Sequence, residues 1–178
     1  MTEERTISSK QVFDGRAVRL RVDTVLTADG RRSTREIVEH SDCIGVVAID
    51  EDDNVLLVRQ YRKAIEKALL EIPAGGVDPG ETPEEAVVRE MQEETGYKPG
   101  RLERLAGFYS SPGFLTEYLH LYLATELTPS RLHAEDTAGI SLVRIPVAEI
   151  EGMLAAGTFE DGKSIVGLRI LLDRRRAA

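Results

Sequence analysis

The chain has 178 residues, 42% of them hydrophobic and 30% charged, which suits one domain of ordinary size with a buried core. Its net charge of -8 excludes a general binder of nucleic acid or anionic membranes, because the summed field repels polyanions. No stretch approaches the roughly 20 apolar residues of a membrane span, and residues 1–10 have no apolar core of the signal-peptide type. We therefore expect a cytoplasmic protein with no nucleic-acid or membrane partner.

The first forty residues alternate between apolar and polar side chains, most clearly over residues 17–26, and Ala28, Asp29 and Gly30 supply a turn. This pattern predicts a small antiparallel sheet or an extended arm. No helix is predicted to cover these strands, and an uncovered strand edge is a liability that pairing with a second copy removes. We expect residues 1–40 to form a dimerisation subdomain and residues 41–178 to form the main domain of a homodimer.

The segments that follow predict a second, more buried sheet. Residues 43–50 and 54–62 are apolar, β-branched runs joined by an acidic turn, which is typical of a hairpin. Cys43 begins the first run and is expected to be a buried small hydrophobe, and a single cysteine allows no internal disulfide. Further strands are predicted over residues 102–109, 118–125 and 140–145, and helices over residues 147–156 and 164–175, the last with Ser164 as its N-cap.

One short helix between these strands has well-marked ends. Thr82 can cap it, Pro83 suits the first helical position, and Glu85 completes a capping box. Gly96 is a natural stop at the other end. The sequence therefore predicts a helix over residues 83–95.

The last two turns of this helix carry three glutamates, Glu90, Glu93 and Glu94, on one face. Like charges at this spacing repel, and anions at a helix C-terminus oppose the macrodipole, so each arrangement costs up to about 1 kcal/mol. A solvated acidic face is one interpretation. The other is a site for a hard divalent cation, which residues 73–76, a predicted tight glycine turn directly after an apolar strand, would help to form.

This stretch resembles the Nudix box, G-x5-E-x7-R-E-U-x-E-E-x-G-U, in which U is a bulky apolar or aromatic residue. All nine specified positions match without a gap: Gly75, Glu81, Arg89, Glu90, Met91, Glu93, Glu94, Gly96 and Tyr97. The resemblance implies an α+β Nudix fold, a mixed β-sheet packed between helices as an α/β/α sandwich, here with an N-terminal antiparallel β subdomain. It also implies a metal-dependent hydrolase that cuts the diphosphate of a nucleoside diphosphate derivative.

The downstream sequence is similar to the ADP-ribose pyrophosphatase subgroup of this family. Pro112 lies sixteen residues after Gly96, followed by Gly113 and then by Glu117, and a proline at about this spacing marks the subgroup. Residues 35–40, 56–62, 70–75 and 161–168 also resemble subgroup sequences in the same order. The implied substrate is ADP-ribose, cut to AMP and ribose 5-phosphate. Alternatives are a nucleotide sugar or a dinucleotide, a sensor that binds ADP-ribose without cutting it, or a protein-interaction scaffold.

The resemblance also implies roles for single residues. Mg²⁺ or Mn²⁺ would be held by Ala74 through its carbonyl and by Glu90, Glu93 and Glu94, with Arg89 orienting the carboxylates. Substrate would be bound by Arg35, Arg59, Glu71, Pro112, Gly113 and Glu117. Either Glu93 or Glu135 could take the proton from water.

Two features of the sequence complicate these assignments. The acidic loop that carries the base in the subgroup is shortened here, since Thr137, Ala138 and Gly139 follow Glu135 and Asp136. Residues 157–164, GTFEDGKS, formally match a phosphate-binding P-loop. That motif must follow an apolar strand, whereas residues 147–156 predict a helix, so the match is rejected.

Overall fold

The computed structural model describes residues 3–133 and 139–177. It divides into two compact units, Met1–Asp42 with Phe108–Tyr118 and Cys43–Gly107 with Leu119–Ala178. In the first unit, β1 (Arg5–Asp14), β2 (Arg19–Leu26) and β3 (Arg32–Glu39) form an antiparallel sheet in that order. The predicted N-terminal antiparallel sheet is therefore confirmed, and every residue of β1 is exposed.

The sheet of the second unit is mixed, as predicted. Its strands are β4 (Cys43–Ile49), β5 (Asn54–Arg62), β6 (Lys67–Glu71), β7 (Ala74–Gly76), β8 (Tyr97–Tyr109), β9 (Tyr118–Pro129) and β10 (Ser141–Pro146). The main order is β10, β5, β4, β9, β8, with β6 paired to β5 and β7 paired to β4. The β4–β9 pair is parallel, whereas the predicted β4–β5 hairpin is antiparallel.

Within the described residues, three α-helices accompany this sheet: α1 (Pro83–Glu90), α2 (Val147–Ala155) and α3 (Gly162–Ala177). The capping box of Thr82 and Glu85 is present, and Gly96 ends the segment with φ near 79°, both as predicted. The prediction of one continuous α-helix to residue 95 is wrong. A π-helical turn, Met91–Thr95, follows α1, and within it the hydroxyl of Thr95 donates to the carbonyl of Met91 at 2.5 Å.

The core of the second unit lies on both faces of β4, because successive strand residues point to opposite sides. Ile44, Val46 and Ala48 pack in one buried cluster with Ala86, Val87 and Met91 of the box helix. On the other face, Val47 lies against α3 at Gly167, where an added Cβ would come within 2.9 Å of the Val47 side chain. The predicted sheet between helices is therefore confirmed, and β4 is held in place from both sides.

Three local predictions need correction. Ala74–Gly76 is a short strand paired with β4 rather than a tight turn, since backbone pairing satisfies its polar groups. Ser164 is not the N-cap of α3, because its amide donates to the Asp161 carboxylate at 3.0 Å. Cys43 is partly exposed rather than buried. Among the described residues, no helix is both long and apolar enough to cross a membrane.

Candidate active site

The glycine at position 75 allows a carboxylate to lie directly against the backbone of β7. A Cβ atom built there would come within 1.9 Å of Oε1 and 2.1 Å of Cδ of Glu90, so any side chain would displace that glutamate. A side chain at position 75 would therefore clash with Glu90, which explains why the box has glycine there even though the segment is not a turn. It brings the Glu90 carboxylate, which is largely buried, against the strand that follows Pro73.

Arg89 organises the acidic residues of the box. Its Nε and Nη2 donate to the two carboxylate oxygens of Glu81 at 3.0 and 2.9 Å, and Nη2 also donates to the carbonyl of Gly76 at 2.9 Å. Its Nη1 donates to Glu90 at 2.6 Å and lies 3.4 Å from Glu93. One guanidinium therefore links the loop before α1 to two of the three predicted metal ligands. The role of Arg89 in orienting metal ligands stays a prediction, and the structure adds Glu81 as a partner of its guanidinium.

Glu94, in the π turn, lies deeper than Glu90 and Glu93, and its side chain is directed toward β7. It is 7% exposed, and one carboxylate oxygen accepts a hydrogen bond from the amide of Ala74 at 3.0 Å. Burial raises the pKa of Glu94 to about 8, and the charge of Glu90 adds to the rise, against smaller opposing effects from the Ala74 amide, Arg62 and Lys163. The structure thus places Glu90 against Gly75 and Glu94 against Ala74, and Glu93 is linked to Glu90 through Arg89.

Glu90 also has a raised pKa, first because it is buried and then because Glu93 and Glu81 are negative, although Arg89 lowers it. Two buried carboxylates that resist ionisation side by side are stabilised by a divalent cation, and carboxylate and carbonyl oxygens are the ligands that Mg²⁺ and Mn²⁺ prefer. The donor set around Gly75 therefore fits such an ion.

Glu71 lies near this cluster, but its surroundings are different. It is 1% exposed, and Arg62 donates to both of its oxygens, from Nε at 2.8 Å and from Nη2 at 2.7 Å. Lys163 of α3 also donates to it. The structure therefore pairs Glu71 with Arg62, whereas Arg59 on the same strand is exposed.

The remaining predicted substrate residues belong to the first unit. Arg35 lies on β3, where its Nε donates to Glu4 at 2.9 Å. The segment with Pro112 and Gly113 lies against the end of the same strand, since the amide of Val38 donates to the carbonyl of Phe114 at 2.7 Å. Glu117 follows, with a carboxylate oxygen 3.7 Å from Nδ1 of His40.

Glu135, the alternative base, lies outside the described residues. The chain that leads toward it is tied to the π turn, because the amide of Ser130 donates to the carbonyl of Gly96 at 2.8 Å. The amide of Leu132 donates to the carbonyl of Gln92 at 3.2 Å, and the Gln92 side chain donates to Ser130 at 2.8 Å. Residues 130–132 therefore lie next to the glutamates of the box.

Sequence reasoning missed the contribution of the segment before α3. Lys163 and Ser164 contact the segment that leads into the box, whereas the sequence indicated only a helix cap at Ser164 and a rejected P-loop match. The available signal was a lysine in an acidic context, Glu160 to Ser164, at the start of a helix.

Comparisons with known proteins agree with this geometry. Residues 39–166 match the NUDIX domain family, and residues 4–38 match the nucleoside diphosphate sugar hydrolase N-terminal domain family. A methanol dehydrogenase activator from Bacillus methanolicus is 37% identical over 171 residues, covering 95% of this chain and 92% of the relative. An ADP-ribose pyrophosphatase from Bacillus subtilis (strain 168) is 42% identical over 126 residues, covering 71% of this chain and 68% of the relative.

The fold has a close counterpart among solved structures. The crystal structure of an ADP compounds hydrolase superimposes with a TM-score of 0.89, covering 98% of this chain and 95% of the other, at 22% sequence identity. This likeness confirms the predicted fold. The family match, which spans well over half of the sequence, and the relatives at 37% and 42% identity show that the chain belongs to the Nudix hydrolase family.

Proposed function

We propose that this protein hydrolyses the diphosphate of ADP-ribose to AMP and ribose 5-phosphate, with Mg²⁺ or Mn²⁺ as cofactor. The observation that carries the chemistry is the pair of buried carboxylates with raised pKa values, Glu90 against the Gly75 backbone and Glu94 hydrogen-bonded to the Ala74 amide. The resemblance to the Bacillus subtilis ADP-ribose pyrophosphatase supports the substrate.

Glu90, Glu93, Glu94 and the carbonyl of Ala74 are the groups that would hold the cation. When bound, a divalent cation neutralises the diphosphate oxygens and the charge that develops on the leaving phosphate. Arg89 fixes Glu90 and Glu93 by hydrogen bonds to their carboxylates, so these ligands are oriented before the cation arrives. The box therefore contributes both the carboxylate ligands and the arginine that orients two of them.

The bond changes are those of a simple hydrolysis. A water oxygen attacks one phosphorus of the diphosphate, the bond from that phosphorus to the bridging oxygen breaks, and the second phosphate leaves. The attacking water loses a proton to a carboxylate, which is either Glu93 or Glu135. Arg35, Arg59, Glu71, Pro112, Gly113 and Glu117 are the candidates for binding the ribose and phosphate groups.

Glu71 fits this substrate role less well than the sequence suggested. Both of its oxygens already accept hydrogen bonds from Arg62, and Lys163 is a further donor. Arg59, which is exposed and not engaged in that ion pair, keeps its proposed role.

The decisive experiment is hydrolysis of ADP-ribose with Mg²⁺ or Mn²⁺, compared with NADH, diadenosine polyphosphates, GDP-mannose and 8-oxo-dGTP under the same conditions. We expect ADP-ribose to have the highest kcat/KM and EDTA to abolish turnover. A higher kcat/KM for a nucleotide sugar or a dinucleotide would show that ADP-ribose is not the preferred substrate, while the proposed diphosphate hydrolysis would stand. Binding of ADP-ribose without any cleavage would indicate a sensor.

A second candidate function is activation of a partner enzyme. The relative whose alignment covers 95% of the chain, including the N-terminal sheet, is named a methanol dehydrogenase activator. If this chain acts similarly, adding it with Mg²⁺ to a methanol dehydrogenase should raise the dehydrogenase rate. A box variant that cannot hydrolyse ADP-ribose, added at the same concentration, would show whether hydrolysis is required.

We also propose that the protein is a cytoplasmic homodimer whose contact includes residues 1–40, with residues 41–178 as the hydrolase domain. All ten residues of β1 are exposed, and Val12 and Phe13 remain 54% and 55% exposed. A long exposed strand of this kind is removed from solvent by pairing. Sedimentation equilibrium should give twice the mass of the 19.7 kDa chain, and Phe13→Asp should shift the population toward the single chain.

A further inference from the structure

The segment from Glu71 to Ala74, which leads into the box, is tied down at every residue. The first tie is the buried Glu71 carboxylate, which accepts hydrogen bonds from Arg62 and from Lys163. Lys163 is itself held, because its ammonium lies 2.9 Å from Asp161, and only 14% of its side chain is exposed. Lys163 therefore links the start of α3 to the last residue of β6.

The second tie comes from the neighbouring residue of α3. Ser164 is fully buried, and its hydroxyl oxygen accepts a hydrogen bond from the amide of Ile72 at 2.9 Å. The amide of Ser164 donates to the same Asp161 carboxylate oxygen that faces Lys163. Two consecutive residues at the start of α3 thus hold two consecutive residues of the strand.

The next two ties connect the segment to the core and to the acid cluster. Pro73 has no amide hydrogen, and its carbonyl accepts a hydrogen bond from the amide of Val46 at 2.9 Å. The amide of Ala74 donates to the Glu94 carboxylate at 3.0 Å. Only three peptide bonds therefore separate the residue that Lys163 holds from the residue that orients Glu94.

We propose that Lys163 is a positioning residue for the metal site: by holding Glu71, it fixes the short segment that presents the Ala74 carbonyl and orients the Glu94 carboxylate. Ser164 assists by holding the amide of Ile72. This inference rests on the proposed function, since it takes Ala74 and Glu94 as metal ligands. It gives the DGKS sequence at residues 161–164 a purpose other than binding a nucleotide phosphate.

The arrangement favours positioning over direct contact with substrate. The Lys163 ammonium is shared between two carboxylates, Glu71 and Asp161, and its side chain is mostly buried. Burial would raise the pKa of Glu71, but hydrogen bonding by Arg62 and the charge of Lys163 outweigh it and hold the pKa below its ordinary value. Lys163 therefore already serves a buried anion of the protein, which a substrate phosphate would have to displace.

The test is Mn²⁺ binding to the substrate-free, full-length protein, followed by the loss of the free-ion signal in electron paramagnetic resonance. Lys163→Met should weaken Mn²⁺ binding about 10-fold, the lower end of what is lost when support of metal ligands is removed. Lys163→Arg keeps the charge and a donor and should restore the affinity to within about threefold of the parent. Ser164→Ala should weaken binding by a smaller factor in the same direction.

Lys67→Met is a matched control. Lys67 is also a lysine paired with a glutamate, Glu160, at 2.6 Å, but that pair is exposed and does not contact the segment from Glu71 to Ala74. Its replacement should leave the Mn²⁺ affinity within twofold of the parent. A purely structural role for Lys163 would lower the thermal midpoint and leave the Mn²⁺ affinity unchanged.

The outcomes separate this inference from the proposed function. A parent protein that binds no Mn²⁺ overturns the metal site, and the inference with it. A parent that binds Mn²⁺ while Lys163→Met binds it equally well overturns the inference alone, and a raised KM in that variant would assign Lys163 to the substrate. If circular dichroism shows that Lys163→Met does not fold, Lys163→Gln and Ser164→Ala decide by the same criterion.

Discussion

Two buried glutamates of the same unit have opposite electrostatic surroundings. Glu71 is 1% exposed and accepts hydrogen bonds from Arg62 and Lys163, so its pKa lies below the ordinary value in spite of its burial. Glu94 is 7% exposed and accepts one hydrogen bond, from the amide of Ala74, and its pKa is raised to about 8. Burial is similar at the two positions, and the supply of positive charge is not.

This difference separates a structural carboxylate from a ligand carboxylate. A buried anion is tolerated when the protein provides its cations, as at Glu71. At Glu94 the chain provides a neutral amide and a second acid, Glu90, and the charges of Arg62 and Lys163 do not outweigh burial. On the proposed function a bound cation would complete the compensation at Glu94, whereas Glu71 already has Arg62 and Lys163 as hydrogen-bond donors.

The largest expected effect is the loss of turnover on replacing Glu93, the candidate base. If Glu93 is the base, Glu93→Gln should lower turnover by about 10²–10⁴-fold, the usual contribution of general-base catalysis. Glu135→Gln should then have little effect. We favour Glu93, because Thr137, Ala138 and Gly139 leave the loop after Glu135 and Asp136 without further carboxylates.

Single-turnover hydrolysis of ADP-ribose at saturating Mg²⁺ measures this difference directly. A large loss in Glu135→Gln with a nearly active Glu93→Gln would transfer the role to the loop. Equal, small losses in both variants would mean that neither glutamate is the base, and that the proton leaves by another route.

The next prediction tests the ligand role of Glu94. Glu94→Gln keeps the size of the side chain and removes its charge, so turnover should fall by about 10²-fold or more. The metal-free variant should be at least as stable as the parent near pH 8.5, because a poorly compensated buried charge has been removed. Glu84→Gln on the same helix, whose carboxylate accepts from Tyr122, is the control and should keep turnover within threefold.

Glu71→Gln should have the opposite effect on stability. It leaves Arg62 and Lys163 close together without their anion, and hydrogen bonds to charged groups are worth about 1.5–3 kcal/mol each. We expect the free energy of unfolding, measured in urea at pH 7, to fall by about that amount. Because the folded-state pKa of Glu71 is lowered, its stabilisation is present above the ordinary pKa and is lost as the pH falls through the folded value.

An exposed pair supplies the comparison for that measurement. Glu160→Gln removes the partner of Lys67 at the surface and should change the free energy of unfolding by less than about 1 kcal/mol. If Glu71→Gln cost no more than Glu160→Gln, the assignment of Glu71 as a structural carboxylate would be wrong.

The sequence predicted the parts of the site that depend on local rules. The capping box at Thr82 and Glu85 and the positive φ of Gly96 follow from nearest-neighbour chemistry, and both are present in the structure. The alternation of residues 17–26 likewise predicted strands, which is where β2 lies. Local spacing was sufficient because each of these features depends on residues that are close together in the sequence.

Features that depend on distant residues were not predictable in the same way. The prediction of a helix from Pro83 to Thr95 missed the π turn, whose Gln92 carbonyl accepts a hydrogen bond from the amide of Leu132, far along the chain. The prediction that Ser164 caps α3 failed because its hydroxyl serves Ile72, 92 residues away. No spacing rule relates a helix start to a strand so far along the chain, so only the fold reveals that contact.

The smallest expected effect is the pH dependence of stabilisation by Mg²⁺, which depends on the raised pKa of Glu94. In the metal-free protein this group contributes stability below its ordinary pKa and loses it as the pH rises through about 8, because the protonated form suits the buried site. A cation must displace that proton, so Mg²⁺ binding is weaker at low pH. If Mg²⁺ is supplied at about 100 times its dissociation constant at pH 8.5, it should stabilise the fold by about 2.7 kcal/mol, or roughly 5–10 °C in thermal midpoint. At pH 6, proton competition should reduce the shift to about 1–2 °C.

Thermal unfolding with Mg²⁺ and with EDTA at pH 6 and pH 8.5 measures this pH dependence, and Glu94→Gln should remove most of the difference between the two shifts. Equal shifts at pH 6 and pH 8.5 in the parent would show that Glu94 ionises as readily as an ordinary surface carboxylate, and the contrast with Glu71 would then disappear.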